Sequence, residues 1–203
     1  MSADELRDMV LSTMGLGVAF AILFFGDSSP SFLLDPAFIP AAIAATALTA
    51  VSFVPHMVSH RVSARALRAH AEYRMWTPGV VIAVLSSFLG AVFAAPGGFE
   101  LHVRSAERYG HYEPDLTVSQ VGVIAIVGPL MSIMLSVIFA FLADATTLAV
   151  QGQDLLALGA RLNAFLAVFN LLPFYPMDGY KVLRWSVPIW GVVTVLAMLL
   201  FVL

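Results

Sequence analysis

The chain has 203 residues, of which 60% are hydrophobic and only 11% charged, with a mean hydropathy of +0.91. Soluble globular domains run nearer about half apolar and a quarter charged, so lipid is the expected solvent. A formal net charge of −3 excludes a strongly basic nucleic-acid binder, and the absence of cysteine excludes disulfides and thiolate metal ligands.

The N-terminus carries Asp4, Glu5, Arg7 and Asp8, a poor n-region for a secretory signal. The first apolar run, Met9 to Phe25, is therefore expected to be a retained span. Five further apolar segments follow, at Ala37–His60, Trp76–Ala95, Val118–Ala143, Leu155–Phe174 and Val182–Leu203. Their lengths suit a hydrocarbon core of about 30 Å. The longest polar stretch, Pro96 to Thr117, contains Phe99-Glu100-Leu101-His102-Val103, which alternates like a strand that Gly110 turns into a hairpin.

Basic residues set the expected orientation. The connection after the second segment holds Arg61, Arg65, Arg68 and Arg74, and the turn after the fifth holds Lys181 and Arg184. Gly26 to Pro36 and Asp144 to Asp154 carry Asp but no Lys or Arg. Positive connections stay cytoplasmic, which places the N-terminus and both basic connections inside a cell membrane. Both basic connections share a face, along with Arg104 and Arg108, only if Trp76–Ala95 dips in and returns. Its Pro78-Gly79, Gly90 and Pro96-Gly97-Gly98 permit that. The expected architecture is an all-α polytopic membrane protein forming a single transmembrane domain over 1–203. It has five full spans plus a re-entrant loop and short β-hairpin within 76–117; a plain six-helix bundle is the alternative. Trp76, Trp185 and Trp190 fit interfacial belts, and Arg161, inside the fifth segment, is expected to snorkel outward. Arg61, Arg65 and Arg68 fit anchoring at anionic headgroups.

Ionisable groups within spans are functional candidates. His56 and His60 are spaced i, i+4, which puts both imidazoles on one helix face and suits two ligands of one tetrahedral metal. Two interfacial histidines would show the same spacing. Asp178 lies in Asn170-Leu-Leu-Pro-Phe-Tyr-Pro-Met-Asp178-Gly179, where two prolines break the helix and Gly179 permits a close approach. Taken alone, Asp178 reads better as a partner of Lys181 or Arg184 at the membrane surface.

Together these segments resemble the site-2 protease family of intramembrane zinc metalloproteases, in its compact archaeal and bacterial form. That family pairs a His-Glu-x-x-His helix with a downstream Asn-x-x-Pro-x-x-Pro-x-Asp-Gly segment. The second pattern is matched at Asn170, Pro173, Pro176, Asp178 and Gly179, and Gly128-Pro129-Leu130 also looks like the family. The resemblance covers about residues 52–184. It implies one zinc ion on His56, His60 and Asp178, with Asn170 stabilising the oxyanion. It implies as partner a transmembrane segment of a membrane-protein substrate within the bilayer. Phe99, Leu101 and Val103 are candidates for holding that segment as an added strand. The departure is Met57, which stands where the family needs its general-base Glu; a thioether cannot take up the proton. Glu72, Ser59 and His70 are the nearest substitutes along the chain, and none is positioned by the sequence. The expected function is thus an intramembrane zinc metalloprotease, inactive or strongly impaired. The alternatives are a zinc-binding pseudoprotease that sequesters membrane segments and, third, a cation transporter. Oligomeric state is not legible.

Overall fold

A computed structural model describes residues 2–26, 30–103 and 116–202. Asp27, Arg104, Arg108 and the Gly110 turn expected for the hairpin lie outside the described residues, as does the Val103 side chain.

The first helix, α1 (Ala3–Phe25), starts before the apolar run because Ser2 caps it, its hydroxyl accepting from the Glu5 N–H at 3.1 Å. Asp4 and Glu5 in the first turn suit the positive end of the helix dipole. After a short 3-10 turn at Pro30–Leu34, α2 (Phe38–Ala66) runs antiparallel to α1. Its buried stripe of Ala41, Ala45, Thr49, Ser52, His56, His60 and Ala64 recurs every three to four residues. Small residues on that stripe let neighbouring helices approach closely. Arg61 and Arg65 belong to this helix, not to a connection as the sequence suggested.

The fold is not all-α. Strand β1 (Ala69–Met75) pairs antiparallel with β2 (Gly97–Val103), with Tyr73 opposite Phe99 and Met75 opposite Gly97. The strand expected at Phe99–Val103 is present, but its partner is upstream, in what looked like a basic connection. Two buried carboxylates of α1 explain this. Glu5 accepts from the Tyr73 N–H at 3.3 Å and Asp8 from the Met75 N–H at 3.1 Å, so the outer edge of β1 has acceptors for its donors. Arg61 neutralises Glu5 at 2.9 Å.

Between the strands lies α3 (Thr77–Ser87), whose 11 residues span about 16 Å and cannot cross a bilayer core of about 30 Å. The segment goes out and returns, and the Trp76 N–H donates to the Pro96 carbonyl at 2.7 Å, joining its entrance to its exit. A plain six-helix bundle is therefore excluded.

Helix α4 (Val118–Ala145) opens on a capping box between Thr117 and Gln120. A two-residue ladder, β3 (Ala149–Val150) with β4 (Gln153–Asp154), leads to α5 (Leu155–Asn170), which Asp154 caps at the Leu156 N–H. The expected last span divides into α6 (Asp178–Trp185) and α7 (Val187–Val202), broken at Ser186 just before Pro188. Lys181 and Arg184 thus sit on a helix, not in a turn. Trp190 donates its indole N–H to the Leu171 carbonyl at 2.8 Å, an internal tie that an interfacial belt does not require.

Among the described residues, α1, α2 and α4 are long and apolar enough to cross a membrane, while α5 and α7, at 16 residues each, are shorter. Phe141, Val137, Val192 and Leu199 stand exposed along α4 and α7. Such continuous apolar faces belong against lipid or another protein.

Candidate metal centre

Three side chains converge on one point. His56 and His60 lie one turn apart on the inner face of α2, and Asp178 is the first residue of α6. Their ligand atoms all lie within 4.8 Å of one another, and all three side chains are buried. Asp178 Oδ2 stands 3.2 Å from His56 Nε2 and 3.1 Å from His60 Nε2.

Helix α4 aims the imidazoles. Ile124, Gly128 and Ser132 are four residues apart and face α2 as a stripe. The Ile124 carbonyl takes His60 Nδ1 at 2.8 Å, and the Ser132 hydroxyl meets His56 Nδ1 at 2.8 Å. Gly128 lies between them, where a Cβ would run into the Nε2 atoms of both histidines. At the other wall, Gly179 lets α6 begin directly against the Leu171 carbonyl, which a side chain would overlap. That close return brings Asp178 under the histidines.

The donor set fits a metal ion. A carbonyl only accepts, so His60 carries its proton on Nδ1 and, when neutral, turns a bare lone pair on Nε2 toward the carboxylate. His60 Nε2 is buried without a hydrogen-bond partner. Lone pairs facing at 3.1 Å repel unless a cation or proton lies between them. Two imidazoles and one carboxylate form a three-ligand set of the kind used by catalytic zinc, and the Nδ1 contacts are the outer-shell bonds that fix tautomer and ring orientation.

Lys181 Nζ lies 3.8 Å from Asp178 Oδ1, so the ion pair that the sequence also allowed is present beside the His56–His60–Asp178 cluster, but buried and not at the surface. Burial pulls the Lys181 ammonium below its usual range, with Asp178 opposing.

Of the other residues singled out in the sequence, Phe99 reaches the site: its ring stacks on His60 with centroids 4.2 Å apart. Leu101 instead packs into the core beneath the sheet. Met57 faces a void of about 20 Å³ shared with Glu5, Arg61, Tyr73 and Phe99. Asn170 donates from Nδ2 to the Leu166 carbonyl at 2.9 Å, and among the described residues it has no hydrogen bond to the three ligands. Ser59 turns its hydroxyl back to the His56 carbonyl, and Glu72 pairs with Arg74 at 3.1 Å. Arg161 is exposed on α5. Sequence reasoning missed Ser132, Ile124 and the Lys181–Phe99 contact. The four-residue spacing about Gly128 was the available signal for the first two.

Fold and site together define a helical protein with membrane-compatible spans and a buried two-histidine, one-carboxylate group that could hold a metal ion. The chain is 32% identical over 197 residues, covering 95% of this chain and 90% of the relative, to "Putative zinc metalloprotease MJ0611" of Methanocaldococcus jannaschii. It is also 36% identical over 61 residues to "Zinc metalloprotease MJ0392" of the same organism, covering 30% of this chain and 18% of that protein. The chain belongs to this zinc metalloprotease family. No family model and no solved structure matches it.

Proposed function

We propose that this chain is a site-2-type intramembrane zinc protease scaffold that receives transmembrane segments of other proteins, and that Met57 strongly impairs its turnover. The observation that carries the reading is the convergence of His56 Nε2, His60 Nε2 and Asp178 Oδ2 between helices of a membrane-compatible chain.

In this reading His56, His60 and Asp178 hold one zinc ion, which when bound supplies Lewis acidity toward a peptide carbonyl and a water of lowered pKa. The chain's own residues do the rest. The Ile124 carbonyl and Ser132 hydroxyl keep the imidazoles oriented. Asn170, on the last turn of α5, has one amide N–H engaged by Leu166 and a second left to donate to the developing oxyanion. A cleft of about 500 Å³ runs along β2 past Gly97, Gly98 and Phe99 to Tyr175, Pro176 and Lys181. Among the described residues strand β2 pairs with β1 alone, so an unwound substrate segment would have a strand edge to join. Phe99 ties that edge to the metal ligands, Leu101 continues the strand, and Val103 ends it. The metal site and N-terminus face the cytoplasm of a cell in this arrangement, with the bilayer around α1, α2 and α4.

Position 57 lies one residue along the helix from His56, where a carboxylate would take a proton from water and return it to the leaving amine. A methionine there does neither, and losing a general base typically costs about 10²- to 10⁴-fold. The test is Met57→Glu in detergent-purified, zinc-loaded protein with a fluorogenic transmembrane peptide. Cleavage rising by about 10²-fold or more over the parent is expected. A zinc-loaded revertant as inert as its parent would sink the protease reading.

A further inference from the structure

Asn163 on α5 is fully buried, yet it offers an acceptor that no donor meets. Its Nδ2 donates to the Ser52 hydroxyl and to the Gly159 carbonyl, each at 2.8 Å. A carbonyl only accepts, so the amide cannot be turned over, and among the described residues Oδ1 is left without a hydrogen-bond partner. Burying such a group unpaired is costly. The buried hydroxyls nearest to it on α2 and α4 have already committed their protons. Thr49 donates to the Ala45 carbonyl and Ser52 to the Leu48 carbonyl, both at 2.8 Å, and Ser136 donates to the Ala160 carbonyl at 2.9 Å.

Ser132 is different. Its Oγ meets His56 Nδ1 at 2.8 Å, and a hydroxyl, unlike the Ile124 carbonyl at His60, can either donate or accept there. If it donates, the proton of a neutral His56 ring sits on Nε2, which then cannot ligate a metal. If it accepts from Nδ1–H, Nε2 is bare, but the hydroxyl's own proton needs another acceptor. What lies beyond Ser132 therefore decides the tautomer. Ser52 and Ser136 stand one turn from His56 and Ser132, on the same side, and both reach α5, at Asn163 and Ala160. Asn163 thus lies roughly one turn, 5.4 Å of rise, from Ser132. That is the span of two hydrogen bonds of about 2.8 Å through one enclosed water.

We propose that Asn163 is a positioning residue for the metal centre: through one buried water its Oδ1 takes the Ser132 proton, which commits Ser132 to accept from His56 Nδ1 and keeps Nε2 free for the metal. This rests on the metal-binding part of the reading above and not on turnover. It adds α5 to the two helices that aim the imidazole.

The test is a double-mutant cycle on zinc affinity, read by chelator competition on detergent-purified full chain. Asn163→Leu keeps the volume and removes the acceptor; alone it should lower affinity about tenfold, the scale of an outer-shell loss. Ser132→Ala should cost a similar factor, and the double variant no more than either, because both cut one chain of hydrogen bonds. Thr194→Val removes the other buried hydroxyl without a partner, on α7, and should leave affinity unchanged. Losses that multiply in the double variant, an Asn163→Leu affinity equal to the parent's, or a Thr194→Val loss as large as that of Ser132→Ala overturns the proposal. A second reading needs no variant to fold. Imidazole nitrogen NMR shifts of the metal-free parent should show His56 protonated on Nδ1, even though Asp178 Oδ2, at 3.2 Å from Nε2, competes for the proton. Protonation on Nε2 overturns the proposal and, where the parent still takes up zinc, leaves the metal-binding reading standing. A parent that takes up no zinc overturns both.

Discussion

Gly128→Ala is the sharpest test of the metal centre, because the added atom has nowhere to go. The new Cβ would meet His60 Nε2, His60 Cε1 and His56 Nε2 together. Those rings cannot swing aside freely, since their Nδ1 atoms are held by Ile124 and Ser132, each at 2.8 Å. Relief requires α4 to back away from α2 by about 1 Å, or one ring to leave the cluster. Overpacking of this kind typically costs about 1–3 kcal/mol, but the metal bears the larger penalty. Loosening an outer-shell contact alone lowers metal affinity about 10- to 100-fold, and here two ligands move. Zinc affinity, read by competition with a chromophoric chelator, should fall at least about 100-fold. Gly159→Ala is the control: its Cβ would press on Phe139 and Leu48 and on none of the three ligands. It should lower the thermal midpoint while leaving zinc affinity within about threefold, below the outer-shell effect. If Gly128→Ala binds zinc as tightly as the parent, the ligands are not held between α2 and α4 as described.

Asp178→Ala removes a direct ligand and should abolish stoichiometric zinc by elemental analysis, with the parent near one ion per chain. Ser132→Ala leaves the ligands but frees the His56 ring, and chelator competition should show about a tenfold loss of zinc affinity. Glu5→Ala strands Arg61, whose side chain is only 12% exposed, and strips an acceptor from β1; denaturation should show a loss of about 3 kcal/mol. Met57→Glu would place a second carboxylate in the void of about 20 Å³ beside Glu5, where Arg61 is already engaged. Combining it with Glu5→Gln should therefore shift the acidic limb of the cleavage pH profile downward by about one unit relative to Met57→Glu alone, because a like charge raises a carboxyl pKa.

The grouping of His56, His60 and Asp178 was legible because each part has its own local signature. The i, i+4 spacing puts His56 and His60 on one face of any helix, and the two prolines before Asp178 end α5 and allow the return. What joins the parts was not legible. Ser132 and the Ile124 carbonyl act through space, and neither residue type advertises a ligand partner. Strand β1 does alternate, with Ala69, Ala71 and Tyr73 buried and His70, Glu72 and Arg74 less so. But alanine contributes little apolar signal, and the charged residues between make the segment resemble a loop. Glu5 and Asp8 looked like polar decoration before a membrane span; they are the acceptors for β1. The break between α6 and α7 was readable in principle, since a proline at the first turn of a helix is a start signal, and Pro188 stands there. The continuous hydrophobicity of Val182–Leu203 concealed it.

These features separate holding a metal from using it. The groups that aim His56 and His60 come from α4, and the group that completes the set comes from the start of α6; none of them touches position 57. Met57 instead faces the α1 and β1 side of α2, in the void shared with Glu5 and Tyr73. A methionine at 57 therefore leaves the His56–His60–Asp178 cluster, the Phe99 stack and the cleft along β2 in place. On the proposed function, a change at position 57 would remove turnover without removing metal binding. Zinc content and substrate affinity should therefore be insensitive to residue 57, and turnover should depend on it almost entirely.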